Sequence, residues 1–227
     1  MIEPARALEL LELQLDALLR RDANGRSTSW SGVQETPAPY VFLGRSAGGN
    51  RWRVWAGLPD ALAAEVDALC RAEPIASDFN AEPECAPALR QRIGEHCELG
   101  GEYRGVALIL PDTLPSPGNV RGEAAPLRVS RWISGVRVAR CHCAALTARA
   151  AEAGVETHPD WRGRGHATDV VAVWASLVQR TGRLALYSTE HSNTASLAVA
   201  HRLGAEPYGE NFHLDSPRSS STNAATH

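Results

Sequence analysis

Apolar residues recur along this chain at two spacings, and the switch between them divides it. In residues 4–21, Leu8, Leu11, Leu15 and Leu18 form one stripe, with Glu9, Glu12, Asp16 and Arg20 on the other side. This spacing predicts an amphipathic helix that ends at Asn24-Gly25, its stripe packing on its own domain or on a second copy. Residues 26–39 are rich in Ser, Thr, Gly and Pro and predict a linker or surface loop. Alternating residues 40–45 and 51–56 flank a turn-forming 46–50 stretch, a hairpin signal. Pro59 opens a helix carrying Leu62, Val66 and Leu69, and a second helix starts near Pro87 with Leu89, Ile93 and Cys97. The apolar run 106–110 predicts a buried strand, and the Pro-rich stretch 111–126 a loop, either a plain connection or a mobile cover.

The second half alternates strands with helices. Strands are predicted at 127–130, 136–147, 150–157 and 183–189, with a weak strand or two between 205 and 214. Ala167, Val170, Val171, Trp174, Leu177 and Val178 repeat at helical spacing up to a stop at Gly182, and a further helix is predicted at 194–203. The chain therefore reads as α/β, a mixed sheet with helices on both faces and an extra N-terminal helix. It divides into an N-terminal helix and linker over 1–35, a main domain over 36–215, and a Ser/Thr/Asn-rich tail over 216–227 that predicts disorder.

Composition narrows the possible partners. A formal charge of −3 speaks against a nucleic-acid surface. No apolar run is long enough for a membrane span, and Glu3, Glu9 and Glu12 are too acidic for a signal peptide, so a cytoplasmic site, as monomer or homodimer, is expected. Five cysteines without C-x-x-C pairs fit neither a disulfide frame nor a zinc site. Cys141-His142-Cys143 invites a metal reading, but alternation on a strand sends His142 to the face opposite both cysteines, and no metal is expected.

The candidate chemistry lies between the strand at 150–157 and the helix from 167. There Arg162-Gly163-Arg164-Gly165-His166-Ala167 follows Pro159. Such a turn aims unpaired backbone N–H groups at one spot that the helix dipole makes favourable to anions, and its glycines let a phosphate come close. The alternatives are a bare tight turn or another nucleotide loop. A Walker A loop needs a lysine, which this chain lacks, and a dinucleotide fingerprint needs glycine where Thr168 stands.

Arg162-x-x-Gly165-x-Ala167 resembles the pyrophosphate loop of the GNAT N-acetyltransferases. Asn193-x-x-Ser196 followed by Leu203-Gly204 resembles the helix that follows it in that family. The likeness is good over residues 136–214, loose over 103–135 and slight before that. It implies a sheet splayed at its centre, with acetyl-CoA as co-substrate between the strands at 150–157 and 183–189. It further implies cofactor contacts from Val155, Thr157, Arg162, Gly163, Arg164, Gly165, His166, Ala167, Ser188, Asn193 and Ser196.

Acetyl transfer to an amine needs a base, since an ammonium has no lone pair, together with donors for the oxyanion and a proton for the leaving thiolate. Glu152 is the candidate base and Glu156 the second choice. Alternation puts both on one face with Gly154, so that they are expected to raise each other's pKa, and Gly154 predicts a bulge or a close approach. In the family a bulge here frees a backbone N–H toward the thioester carbonyl, so the resemblance implies that the amides of Val155 or Glu156 meet the oxyanion. The family's usual acid, a Tyr seven positions after the Asn, is Ala200 here, which leaves Ser196, Tyr187 or water. His158 and His191 are weighed as bases and set lower. The expected function is N-acetylation of a small-molecule or peptide amine, with a catalytically weak CoA-binding sensor or partner module as the alternative. A longer acyl group, or transfer onto oxygen, is a third reading.

Overall fold

The computed structural model describes residues 2–32, 36–115, 117, 120–123 and 127–217. In chain order the elements are α1 (Pro4–Leu18), β1 (Leu19–Arg21), β2 (Ser27–Trp30), β3 (Val41–Ser46), β4 (Gly49–Val54), α2 (Asp60–Ala72), α3 (Ala86–Gly94) and β5 (Gly101–Ile109). They continue with β6 (Arg121–Glu123), β7 (Arg128–Ile133), β8 (Val136–Leu146), β9 (Ala150–Thr157), a 3-10 turn at Pro159–Trp161, α4 (His166–Gln179), β10 (Leu184–Glu190), α5 (Thr194–Arg202) and β11 (Glu206–Asp215). The predicted disorder of the tail falls largely on residues 218–227, outside the described residues.

Nine strands form one mixed sheet in the order β4-β3-β11-β5-β10-β9-β8-β7-β6, and β1 and β2 make a separate ribbon. One sheet face carries α4 over β7 to β10, with Val170, Val171, Trp174 and Val178 in the core, and α2 and α3 over Val41, Leu43 and Phe212. The opposite face carries α1, packed on Ala107, Ala150, Leu186 and Tyr208. The α1 stripe packs inside its own chain, as one of the two predicted uses, but the buried face is wider than predicted. It takes in Leu10 and Leu13, and it includes one polar residue, Gln14.

Three predicted elements differ. The 26–39 linker contains β2, which pairs with β1. The 111–126 loop contains β6, an edge strand against β7. In place of weak strands after 205 there is one ten-residue strand, β11, buried along most of its length. The reason lies in β5. Its apolar centre is covered on both faces, and it sits between β10 and β11, antiparallel to both. The run that the sequence marked as a short buried strand is therefore the spine of the sheet, and β11 is long because it follows β5 end to end.

A buried ion cluster ties this half together. Glu210, fully buried, accepts hydrogen bonds from Arg45 Nε (2.9 Å) and Arg104 Nε (2.5 Å) and lies 3.1 Å from His191 Nε2. Arg45 also reaches Glu73 (3.2 Å), whose carboxylate accepts the backbone N–H groups of Glu84 (3.1 Å) and Cys85 (2.8 Å). One carboxylate thus joins β3, β5, β11 and the turn after β10. Glu210→Gln keeps the volume but leaves the buried Arg45 guanidinium, and the partly exposed one of Arg104, short of a charge. We expect it to lower stability by about 3–5 kcal/mol, read as a lower urea midpoint at unchanged slope.

Candidate functional site

The parallel ladder between β9 and β10 is short. It pairs Ala150 with Leu184, Ala151 with Ala185 and Glu152 with Leu186, and then stops. Beyond that point β9 stays paired with β8 up to Thr157, and β10 stays paired with β5 up to Glu190. The two strands therefore diverge as a V through the middle of the sheet, as expected, and alternate main-chain groups of each arm turn into the gap.

The chain leaves β9 through the Pro159–Trp161 turn and enters α4 by way of Gly163 and Gly165, at φ +75° and +82°. A side chain is strained in that backbone conformation. A Cβ at either glycine would meet nothing within 4 Å, so the backbone there faces open space. The helix's first bond runs from the Asp169 N–H to the Gly165 carbonyl (3.2 Å), which leaves the preceding amides without helical partners. His166, 7% exposed, has no partner at either ring nitrogen, and burial pushes its pKa down, with Arg131 acting in the same direction. Unpartnered amides at a helix N-terminus are an arrangement that favours anions, and the uncharged His166 ring packs beneath them with both nitrogens buried.

A cleft of about 1020 Å³ runs from this loop through the V. Of the residues expected to hold the cofactor, Val155, Thr157, Arg162, Gly163, Gly165, His166, Ala167, Ser188, Asn193 and Ser196 line it. Arg164 does not. Its guanidinium lies 4.9 Å from the Trp161 ring centre, so the residue holds the loop's shape by a cation–π contact. Arg202 lines the cleft and was not expected. It shares one face of α5 with Ala195, Ala198 and Val199, a helical spacing that the sequence does contain. Asn193 Oδ1 accepts the Ser196 N–H (3.1 Å), so its carbonyl caps α5 and its amide nitrogen remains for a ligand.

The two glutamates separate. Glu156 lines the cleft mouth, half-exposed, and pairs with Arg140 at 2.6 Å. Glu152 is 3% exposed, on the α1 face at the vertex of the V, and is not part of the cleft wall. Its Oε1 accepts the Ser188 hydroxyl (2.7 Å) and its Oε2 the Gln14 amide (3.3 Å), and it meets the cleft only through Ser188. Burial raises its pKa to about 7, while the bonds from Ser188 and Gln14 pull the other way. Mutual repulsion with Glu156 is not the cause. Of the two readings of Gly154, a bulge or a close approach, β9 has the second. The register slips on β8 instead, between Cys143 and Ala145, and Gly154 is small because a Cβ there would come within 2.7 Å of the His142 ring.

The weighed histidines are engaged elsewhere, His191 with Glu210 (3.1 Å) and His158 near Asp160 (3.7 Å). Ala200 is buried in the core, 2% exposed. Tyr187, from β10, brings its hydroxyl within 2.6 Å of Ser196 Oγ, and both line the cleft. Tyr103 and Thr189 complete the wall on the β10 side, and of the two Tyr103 was not singled out from the sequence. Among the described residues no helix is long and apolar enough to cross a membrane.

No family model and no curated protein matches the sequence. Several solved structures align with the fold. A protein of Drosophila melanogaster does so over 96% of this chain and 98% of its own, at 14% identity and a TM-score of 0.49. A GCN5-related N-acetyltransferase-like protein of Streptococcus suis covers 78% and 84%, at 14% and 0.46. A tandem GNAT protein from the clavulanic acid biosynthesis pathway covers 93% and 96%, at 14% and 0.41. What identifies the fold is internal to this structure: a mixed sheet opened by a V between two parallel strands, with a basic Gly-rich loop at the V that leads into α4. That arrangement is the splayed mixed sheet that the resemblance of the loop to the GNAT N-acetyltransferases implied.

Proposed function

We propose that the protein transfers an acetyl group from acetyl-CoA to a primary amine of a small molecule or peptide. One observation carries this reading. The cleft begins at an anion cradle on the α4 side of the sheet and reaches, through the V, Ser188, whose hydroxyl bonds a buried carboxylate behind it on the α1 side. The open backbone at Gly163 and Gly165, the unpartnered amides at the α4 N-terminus and Arg162 suit a diphosphate, and Arg202 adds a second cation to the same wall. Bound there, acetyl-CoA would supply a thioester carbonyl at the narrow end of the V.

The chain's own groups then act in sequence. An ammonium acceptor passes a proton to Ser188 Oγ while the Ser188 hydroxyl proton moves to Glu152 Oε1, which frees the nitrogen lone pair. A carboxyl with pKa about 7 is well matched to that task near neutral pH. Amides on the V-facing side of β9, at Val155 or Glu156, meet the charge that develops on the carbonyl oxygen. The Tyr187–Ser196 hydroxyl pair offers a proton to the departing thiolate, and the proton that the nitrogen sheds as the amide forms replaces it by way of solvent in the cleft. Burial raises the Tyr187 pKa, so this hydroxyl stays protonated until the thiolate forms. Ala200 favours the second reading, a CoA-binding module that turns over weakly or not at all.

Calorimetry with acetyl-CoA should show binding that Arg162→Ala weakens about tenfold and Gly165→Val abolishes, with the circular dichroism spectrum unchanged. Thiol release across an amine panel separates the two readings, since binding without release for every amine favours the module. Glu152→Gln should lower kcat by about 10²-fold or more at unchanged acetyl-CoA affinity.

The same carboxyl ties stability to pH. Its pKa rises from 4.5 to about 7 on folding. Below pH 4.5 it is neutral in both states and costs nothing. Above that the unfolded chain gives up the proton first, so stability falls until pH 7 and then levels, by roughly 3 kcal/mol in all. Urea melts should therefore find Glu152→Gln more stable than the parent at pH 8, with the gap closing by pH 4.5.

A further inference from the structure

We propose that Gln14, from the N-terminal helix, is a positioning residue for proton transfer: held by Asn211, it aims its amide N–H at Glu152 and keeps that carboxylate ionisable. This rests on the reading of Glu152 as the proton acceptor. Gln14 is fully buried in α1, where the other buried side chains are alanine and leucine. A buried amide is costly unless both ends are bonded, and here both are. Asn211 Nδ2 donates to the Gln14 carbonyl (3.1 Å), which leaves the Gln14 NH₂ end to face Glu152 Oε2 (3.3 Å). Asn211 is itself 2% exposed, and its own carbonyl oxygen has no partner, so its NH₂ end is the one engaged. The orientation is thus passed from β11 through α1 to β9.

The need for such a donor follows from what surrounds Glu152. The titratable groups facing it are Tyr103 of β5, Tyr187 of β10 and Tyr208 of β11. Burial raises the pKa of each, and the Glu152 charge adds to it, so all three stay neutral. On β8, His142 stands over Gly154, and on β9, Glu156 is paired with Arg140. α1 presents Gln14 among leucines. The carboxylate charge is therefore held by neutral donors: the Ser188 backbone N–H and two side chains. Ser188 opens on the cleft and must release its proton during transfer, whereas Gln14 is closed off from the cleft and remains a donor throughout.

The test is a ¹³C NMR titration of the glutamate side chains in the full chain and in Gln14→Leu, Asn211→Leu and the double variant. We expect Glu152 to titrate near 7 in the parent. Gln14→Leu should raise that by about one pH unit. Asn211→Leu should raise it less, and the double variant should match Gln14→Leu, because Asn211 acts through Gln14. The acidic limb of kcat/KM should move with the carboxyl, roughly a fivefold loss at pH 7, with KM for acetyl-CoA unchanged. A Glu152 pKa that stays put or falls in Gln14→Leu overturns the proposal, as does an additive double variant. If Gln14→Leu does not fold, an unshifted Glu152 in Asn211→Leu has the same force. The NMR result needs no turnover, so an inactive parent would count against the proposed reaction and leave this inference standing on its own measurement.

Discussion

Everything in this molecule depends on two parallel strands that stop pairing after three residues. A strand edge that opens inside a sheet exposes main-chain donors and acceptors, and such groups cost free energy unless something meets them. The rest of the fold lets the V exist without unravelling. β8 holds the outer edge of β9 and β5 that of β10, so only the inner edges are open. α4 spans the gap on one face and α1 on the other, joining the arms through their side chains. An amide-bearing ligand arm, which the proposed co-substrate has, can then complete the ladder that the protein leaves unfinished.

The V also explains why acid–base chemistry would sit at its vertex. Where the strands still touch, Glu152 and Leu186 are cross-strand partners and α1 lies on top, so a side chain there is sealed from water. Two residues along each arm the walls have parted, and Ser188 is wet. A carboxyl on the dry side of that step acquires a pKa near 7 through burial, and a hydroxyl on the wet side connects it to the cleft. Geometry and titration have one origin.

How much of this the sequence disclosed varied with the range of the interaction. The loop was legible because its constraint is local: two positive-φ glycines and an arginine before a helix leave a mark within six residues. The helices α4 and α5 and the strands around them were legible for the same reason, since their periods repeat over adjacent turns. The slot of β5 was not, because nothing in residues 101–109 says which strands will flank them. The stacking of Arg164 was not legible because charge is visible in a sequence and the ring it stacks on is not. The expected coupling of Glu152 and Glu156 had the face right and the cause wrong, for α1 covers the first and Arg140 pairs with the second. Gln14 left a faint trace, a lone amide inside a leucine face, and that trace gains meaning only once Asn211 is seen beside it.

Ala200 is the strongest hint against catalysis, and its surroundings weaken it. The residue is buried in the same core cluster as Val199, Leu203 and Tyr187, so a ring at 200 would need space that the core has already filled. Tyr187 approaches from the strand, and its hydroxyl meets Ser196 one turn before Ala200. A small side chain on the helix and a tyrosine on the strand are therefore two halves of one packing arrangement. A cleft with no phenol on α5 thus still has one, from β10.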